Sequence, residues 1–138
     1  MHDIGKIAVP VEILSKPGKL TPLEYDLVKL HVDKGHQILK EMAFSLPIAQ
    51  IVLQHHERLD GSGYPYGLIG AEILPEAKVL AVADVVESMA SHRPYRPALG
   101  LTLASREISA QRGRLYDEAV VDAFLRLLGR ADYRFPVD

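Results

Sequence analysis

The 138-residue chain has no cysteine. Disulfide scaffolds, cysteine-ligated zinc fingers and cysteine nucleophiles are excluded together. It also lacks an excess of charge of either sign. Lys plus Arg is 16 and Asp plus Glu is 18, a formal net charge of -2. That balance argues against a dedicated DNA-binding domain, whose affinity rests on clustered positive charge, and leaves room only for local basic clusters. No stretch approaches the ~20 apolar residues of a membrane span, and no basic-then-apolar signal pattern opens the chain. A soluble cytoplasmic protein is the expectation. Repeats, low-complexity tracts and linkers are missing too. What is present is ordinary globular composition, 48% hydrophobic and 25% charged, in a length that fits one domain spanning residues 1–138. The compositional oddity is six histidines without a cysteine.

The apolar pattern is helical nearly throughout. Nothing alternates convincingly at period two, so the spacing predicts an all-α helical bundle. Thr21-Pro22-Leu23-Glu24 has the form of a capping box with proline at the first helical position. Leu23, Leu27 and Leu30 follow as an apolar stripe expected to be buried, and Val32 to Met42 continues helically. Another helix is expected to open at Ser45 and Pro47 and to reach His55. Glu57 to Gly70, with five glycines and prolines at 61, 63, 65, 67 and 70, reads as a loop. Pro75 opens the most apolar helix, ending near Ala90. Thr102 is expected to cap the next and Asp117 the last, with Gly129 as its stop. A short helix near Pro10–Leu14 is expected. Ile7-Ala8-Val9 and Val79–Val82 are short enough to pass for strands.

The chemistry gathers at a few places. His2-Asp3 opens the chain, His31 is expected at the end of the capped helix, and His55-His56 ends the next one. Asp84 is an acid in the middle of the most apolar helix. Imidazole and carboxylate together suit iron, manganese or zinc, and one carboxylate can serve two ions. Each feature alone also has a plain reading. A His-Asp pair is commonly a surface pair, and His-His at a helix end a solvated cap. A buried acid is costly unless paired or metal-bound. Together they support one another, whereas His36 and His92 read as surface residues. The glycine loop is either a turn between helices or a backbone that lets a ligand approach closely. His92-Arg93-Pro94-Tyr95-Arg96-Pro97 is either a basic loop or a phosphate grip.

Long motifs in order then carry a resemblance. His2-Asp3-Ile4-Gly5-Lys6 followed by Ile13-Leu14-Ser15-Lys16-Pro17-Gly18, His55-His56-Glu57 through Gly63-Tyr64-Pro65, and Ala83-Asp84 leading to Arg93-Pro94-Tyr95-Arg96 resemble the HD-GYP domain, a branch of the HD phosphohydrolases. The likeness extends from about Met1 to Leu128. It implies an all-α HD-type fold, a bacterial source and two or three divalent metal ions, iron or manganese. It implies hydrolysis of cyclic di-GMP to pGpG or GMP. By position it implies His2, Asp3, His31, His55, His56 and Asp84 as metal ligands, with Asp3 bridging and also acting in catalysis. Lys6 matches a lysine near the scissile phosphate. Arg93 and Arg96 match phosphate contacts. Gly61, Gly63, Tyr64 and Pro65 form a signature loop, at the substrate and also implicated in protein partners.

The family has helices before His-Asp that carry a further glutamate and histidine ligand, while Met1 alone precedes His2 here. The chain is therefore expected to be the C-terminal portion of the domain. It should hold fewer ions than a complete domain and turn over little or no cyclic di-GMP. The Leu23, Leu27, Leu30 stripe and the helix around Val82 and Val86 should then offer an apolar patch and drive homo-oligomer formation. Two other readings compete: a non-catalytic signalling module that binds cyclic di-GMP or a protein partner, and a hydrolase of ordinary nucleotides.

Overall fold

Thr21 opens the helix on which the site is assembled. Its hydroxyl accepts the Glu24 backbone N–H at 3.3 Å, and the Glu24 carboxylate accepts the Thr21 N–H at 2.7 Å. Two donors that the first turn would leave unpaired are thus satisfied reciprocally. The same carboxylate receives Lys16 Nζ at 2.8 and 2.7 Å, which ties the preceding loop to the helix start. The structure, a computed structural model, describes residues 1–91, 99–130, 132, 133 and 135.

Six α-helices are present among the described residues: α1 (Val11–Leu14), α2 (Pro22–Leu39), α3 (Ile48–Gln54), α4 (Pro75–Ala90), α5 (Leu101–Ala110) and α6 (Glu118–Leu128). Two 3-10 turns, Ile4–Ala8 and Gly70–Glu72, complete the regular structure, and no named strand occurs among those residues. The turn Ile4–Ala8 and α3 both pack on α2, and α4 is shared by α3, α5 and α6. One core joins Val82 and Val86 of α4 to Ala104 and Ile108 of α5, Tyr116, and Val121 of α6. A smaller one joins Ile51, Ile73 and Ala77.

Several expectations need correction. Helix α2 runs unbroken to Leu39, so His31 lies inside it rather than at its end. The Leu23, Leu27 and Leu30 stripe is exposed, at 72%, 37% and 47%. The buried face is instead His31, Val32, Gly35 and Leu39, turned about 130° away at ~100° per residue. Periodicity located a stripe, but the turn Ile4–Ala8 and α3 select the other side of the helix. Val82 and Val86 are 2% and 1% exposed, so they offer no surface patch. Thr102 does not cap α5. Gly100, at φ +87°, occupies the cap position and Thr102 sits in the first turn. Ile7-Ala8-Val9 falls in and after a 3-10 turn, and Val79–Val82 lies within α4. Asp117 caps α6 through bonds from the Ala119 and Val120 N–H groups.

The Glu24 clamp makes a testable contribution to stability. The Lys16 hydrogen bond, with those from Thr21, holds the Glu24 carboxyl down at about 2, against an ordinary value of 4.5. On acidification the unfolded chain takes up this proton first. The stabilisation is therefore complete above pH 4.5 and is lost between there and about 2. Denaturant midpoints of wild type and Glu24→Gln should differ at pH 7 and converge only as the pH approaches 2. A gap of constant size across that range would contradict the assignment.

Candidate metal centre

Burying an imidazole is costly unless both ring nitrogens are accounted for. His31 and His55 are 1% and 0% exposed. Each spends Nδ1 on its own helix: His31 Nδ1 donates to the Val28 carbonyl at 2.7 Å, and His55 Nδ1 to the Val52 carbonyl at 2.6 Å. These bonds select the tautomer whose Nε2 carries a lone pair, the state of a histidine ready to bind a metal. Both Nε2 atoms are buried without a hydrogen-bond partner among the described residues. His56 adds a third imidazole, and the three rings offer ligand atoms within 4.8 Å of one another. Orphaned buried acceptors converging on one point fit a divalent cation, so this cluster could hold a metal ion.

Two carboxylates and a fourth histidine face the same space. His2 and Asp3 immediately precede the turn Ile4–Ala8, and Asp84 comes from the middle of α4. His2 Nε2 lies 3.3 Å from Asp84 Oδ1 and 3.6 Å from Asp3 Oδ2. The other Asp3 oxygen, Oδ1, lies 3.7 Å from His31 Nε2. The two oxygens of Asp3 thus face different imidazoles. Lys6 Nζ donates to Asp3 Oδ2 at 2.6 Å. All six residues implied as ligands therefore meet at one place, although they come from four separate parts of the chain. A glycine makes this possible. A Cβ on Gly5 would overlap the His31 carbonyl oxygen and stand 2.5 Å from the Gly35 amide nitrogen. Only a residue without a side chain lets the turn lie directly on α2.

The electrostatics match the donor set. Burial pushes His31 below the ordinary histidine range and His55 down to about 4. Burial and then the neighbouring His55 depress His56 as well. Its hydrogen bond to Asp84 raises His2 despite partial burial. Burial alone would raise Asp84, but the His2 hydrogen bond and the surrounding imidazoles bring it well below the usual carboxylate range.

The signature loop is fixed to the histidines from behind. Tyr64 stacks on His56, with ring centroids 4.7 Å apart and an interplanar angle of 22°. Its amide donates to the His56 carbonyl at 3.2 Å. A Cβ on Gly63 would collide with that carbonyl and with the Arg58 amide nitrogen, so the glycine is needed for close approach. Gly61, at φ +80°, faces Ile69 and Gly67 across the loop instead of the histidines. Pro65 follows Tyr64 through a cis peptide and is half-buried. Arg93 and Arg96, with His92, lie outside the described residues.

One functional residue escaped the reading of the sequence. Glu57 is 2% exposed, and its carboxylate accepts the Tyr66 N–H at 2.8 Å and the Leu68 N–H at 2.9 Å. It chelates the far side of the loop whose near side carries Tyr64. Its place directly after His55-His56 was the available signal, but nothing in the spacing says that an acid in a polar loop is buried.

Two pairs of substitutions test these contacts. Gly5→Ala should cost about 3 kcal/mol, as overpacking against backbone does. Gly129→Ala, where a Cβ would meet only ordinary contacts from 3.5 Å outward, should be nearly neutral. Equal thermal stability of the two variants would refute the close-approach argument. Glu57→Ala leaves two backbone donors without their carboxylate and should cost about 3 kcal/mol. Amide exchange at Tyr66 and Leu68 should accelerate sharply, and less so in Glu57→Gln. Unchanged exchange would refute the chelate.

Comparison with known proteins agrees with this geometry. The family model described as HD domain matches residues 1–120. The chain is 49% identical over 133 residues to the cyclic di-GMP phosphodiesterase response regulator RpfG of Xanthomonas campestris, covering 95% of this chain and 35% of that protein. It is 48% identical over 131 residues to a cyclic di-GMP phosphodiesterase of Thermotoga maritima, covering 92% and 35%. The chain thus spans about a third of the length of these curated relatives. Among solved structures, the HDG"Y"P protein Bd1817 of Bdellovibrio bacteriovorus superposes with a TM-score of 0.71, at 19% identity, over 94% of this chain and 41% of that one. That likeness shows the shared helical fold. The family match leads to one conclusion, and the motifs around the histidines, which resemble those of the HD-GYP branch, agree with it: the chain belongs to the HD domain family.

Proposed function

We propose that residues 1–138 act as one metal-dependent phosphodiesterase domain that hydrolyses cyclic di-GMP to pGpG or GMP. The observation that carries this reading is the pair of orphaned buried Nε2 atoms of His31 and His55, converging with His56 beside two carboxylates. The relatives named as cyclic di-GMP phosphodiesterases support the substrate class.

In this reading His2, Asp3, His31, His55, His56 and Asp84 hold two or three divalent ions, iron or manganese. Asp3 suits a bridging role because its two oxygens face different imidazoles. Ions bound there supply Lewis acidity and an acidified water. The chain's own residues do the rest. The His31 and His55 imidazoles stay neutral, fixed in one tautomer by the Val28 and Val52 carbonyls. Lys6 stabilises charge that develops on phosphoryl oxygens, and Arg93 and Arg96 grip phosphate through planar forks. Tyr64 and the backbone at Gly63 hold His56 in place, while Gly61 and Pro65 shape the loop behind them. The same loop is the proposed contact for protein partners. Among the described residues no helix is long and apolar enough to cross a membrane. A cytoplasmic location is part of the proposal, and the exposed Leu23, Leu27 and Leu30 support homo-oligomer formation.

The test is metal content and product analysis on the same sample, loaded anaerobically with iron(II) or manganese(II). Metal-dependent hydrolysis of cyclic di-GMP, however slow, is the expected result. Asp3→Ala should lose both bound metal and turnover. Arg93→Ala and Arg96→Ala should keep the metal and lose about ten- to hundredfold in catalytic efficiency. Full metal content in Asp3→Ala would remove Asp3 from the ligand set. Tight dinucleotide binding by wild type without any cleavage would favour the non-catalytic module.

A further inference from the structure

The cavity lined by His31 and His56 is larger than a metal site requires. It measures about 620 Å³, within the range of small-molecule pockets. Asp3, His31, His56 and Asp84 line one part of it, and Gly18, Tyr25 and Val28 another. Tyr25 is a large aromatic residue at 46% exposure, at the start of α2.

Its surroundings are organised. The Thr21–Glu24 capping box fixes the helix start, and Lys16 on Glu24 draws the segment from Lys16 to Gly18 against it. Gly18 stands at φ +100°, with nothing within 4 Å of where its Cβ would be, so it contributes a wall without a side chain. Tyr64 meets Tyr25 edge to face, with centroids 6.3 Å apart at 82°. One face of Tyr64 is already occupied by His56. Lys29 Nζ lies 4.7 Å from the Tyr25 centroid and 5.9 Å from that of Tyr64. Its bond to Asp26, at 2.9 Å, is an exposed ion pair of the weak kind, which the ammonium can leave.

An exposed ring, an adjacent flat wall and a cation between two aromatics match the chemistry of a purine. A base stacks on an aromatic face whatever its identity. A lysine donor selects guanine, whose O6 and N7 both accept, over adenine, whose amino group donates at that edge. The described aromatic residues that line the cavity are Tyr25 and Tyr64, and Tyr25 is the more exposed of the two. We propose that Tyr25 and Lys29 form a guanine subsite at the mouth of the metal-site cavity, Tyr25 stacking on the base and Lys29 donating to its O6/N7 edge. This rests on the phosphodiesterase reading and adds to it the element that recognises the base.

Calorimetric binding to the metal-loaded chain tests it, with cyclic di-GMP, cyclic di-AMP and inorganic phosphate as probes. Tyr25→Ala should weaken cyclic di-GMP about tenfold and leave inorganic phosphate and metal content unchanged, whereas Tyr25→Phe should bind as wild type. Lys29→Met should lower the preference for cyclic di-GMP over cyclic di-AMP about tenfold. Wild-type affinity in Tyr25→Ala, or an equal loss for inorganic phosphate, would overturn the stacking role. An unchanged preference in Lys29→Met would overturn the base reading. A metal-loaded wild type that binds neither dinucleotide would sink the phosphodiesterase reading, and the subsite with it. Tight wild-type binding with unaffected variants would sink the subsite alone.

Discussion

Two buried imidazoles that hydrogen-bond to the carbonyl three residues before them set the terms for the rest of the molecule. Removing His31 and His55 from water is unfavourable for the charged ring, and the Nδ1 bonds to Val28 and Val52 resolve only half of each neutral one. The other half, the two Nε2 lone pairs, is left pointing at one volume. Helices α2 and α3 pack so that these atoms meet, and His2, Asp3 and Asp84 are held beside them by the His2–Asp84 and Lys6–Asp3 pairs. A fold optimised for stability alone would put leucine at both positions. The retained orphan acceptors mark this part of the core as a site.

The outer support is of a different kind. The loop after His56 packs Leu59 and Leu68 against the smaller core, and polar groups fix the rest of its course. Glu57 takes two backbone donors, Asp60 receives Ser62 through both backbone and hydroxyl, and the Leu59 N–H reaches the Leu115 carbonyl. Arg58 closes the arrangement, donating to the His55 and Glu57 carbonyls and lying 5.3 Å from the centre of the Tyr116 ring. Since Tyr116 belongs to the α4–α5–α6 core, the histidine pair is braced against the half of the molecule that supplies no imidazole among its described residues.

Much of this was legible in the residues. His2-Asp3, His55-His56 and Asp84 stand out because imidazoles and carboxylates cluster beside or within apolar runs, and that contrast survives in a linear string. The start of α2 was readable because a capping box is a local device. The burial face of α2 was not. Leu23, Leu27 and Leu30 form a better stripe than His31, Val32, Gly35 and Leu39, but the choice between faces is made by elements distant in sequence. The same reason hid Glu57, whose burial depends on a loop folding back over it, and Tyr25, whose place at the cavity follows from Lys16 reaching across to Glu24. Thr102 failed as a cap because a glycine at positive φ already starts α5.

The contact of Gly5 with α2 makes the two parts of the site mechanically unequal. His31, His55, His56 and Asp84 sit on or beside helices shared with the rest of the bundle. His2 and Asp3 precede a 3-10 turn that is seated on α2 by the close backbone approach at Gly5, and their side chains are held by Asp84 and Lys6. The first group is tied to the bundle through its helices, whereas the second depends on one short turn keeping its seat on α2. A ligand that touches both acts as a staple across that seam. Its binding free energy is drawn down by whatever the turn costs to seat, and its presence is recorded as slowed opening of residues 2–8 while the helices change little.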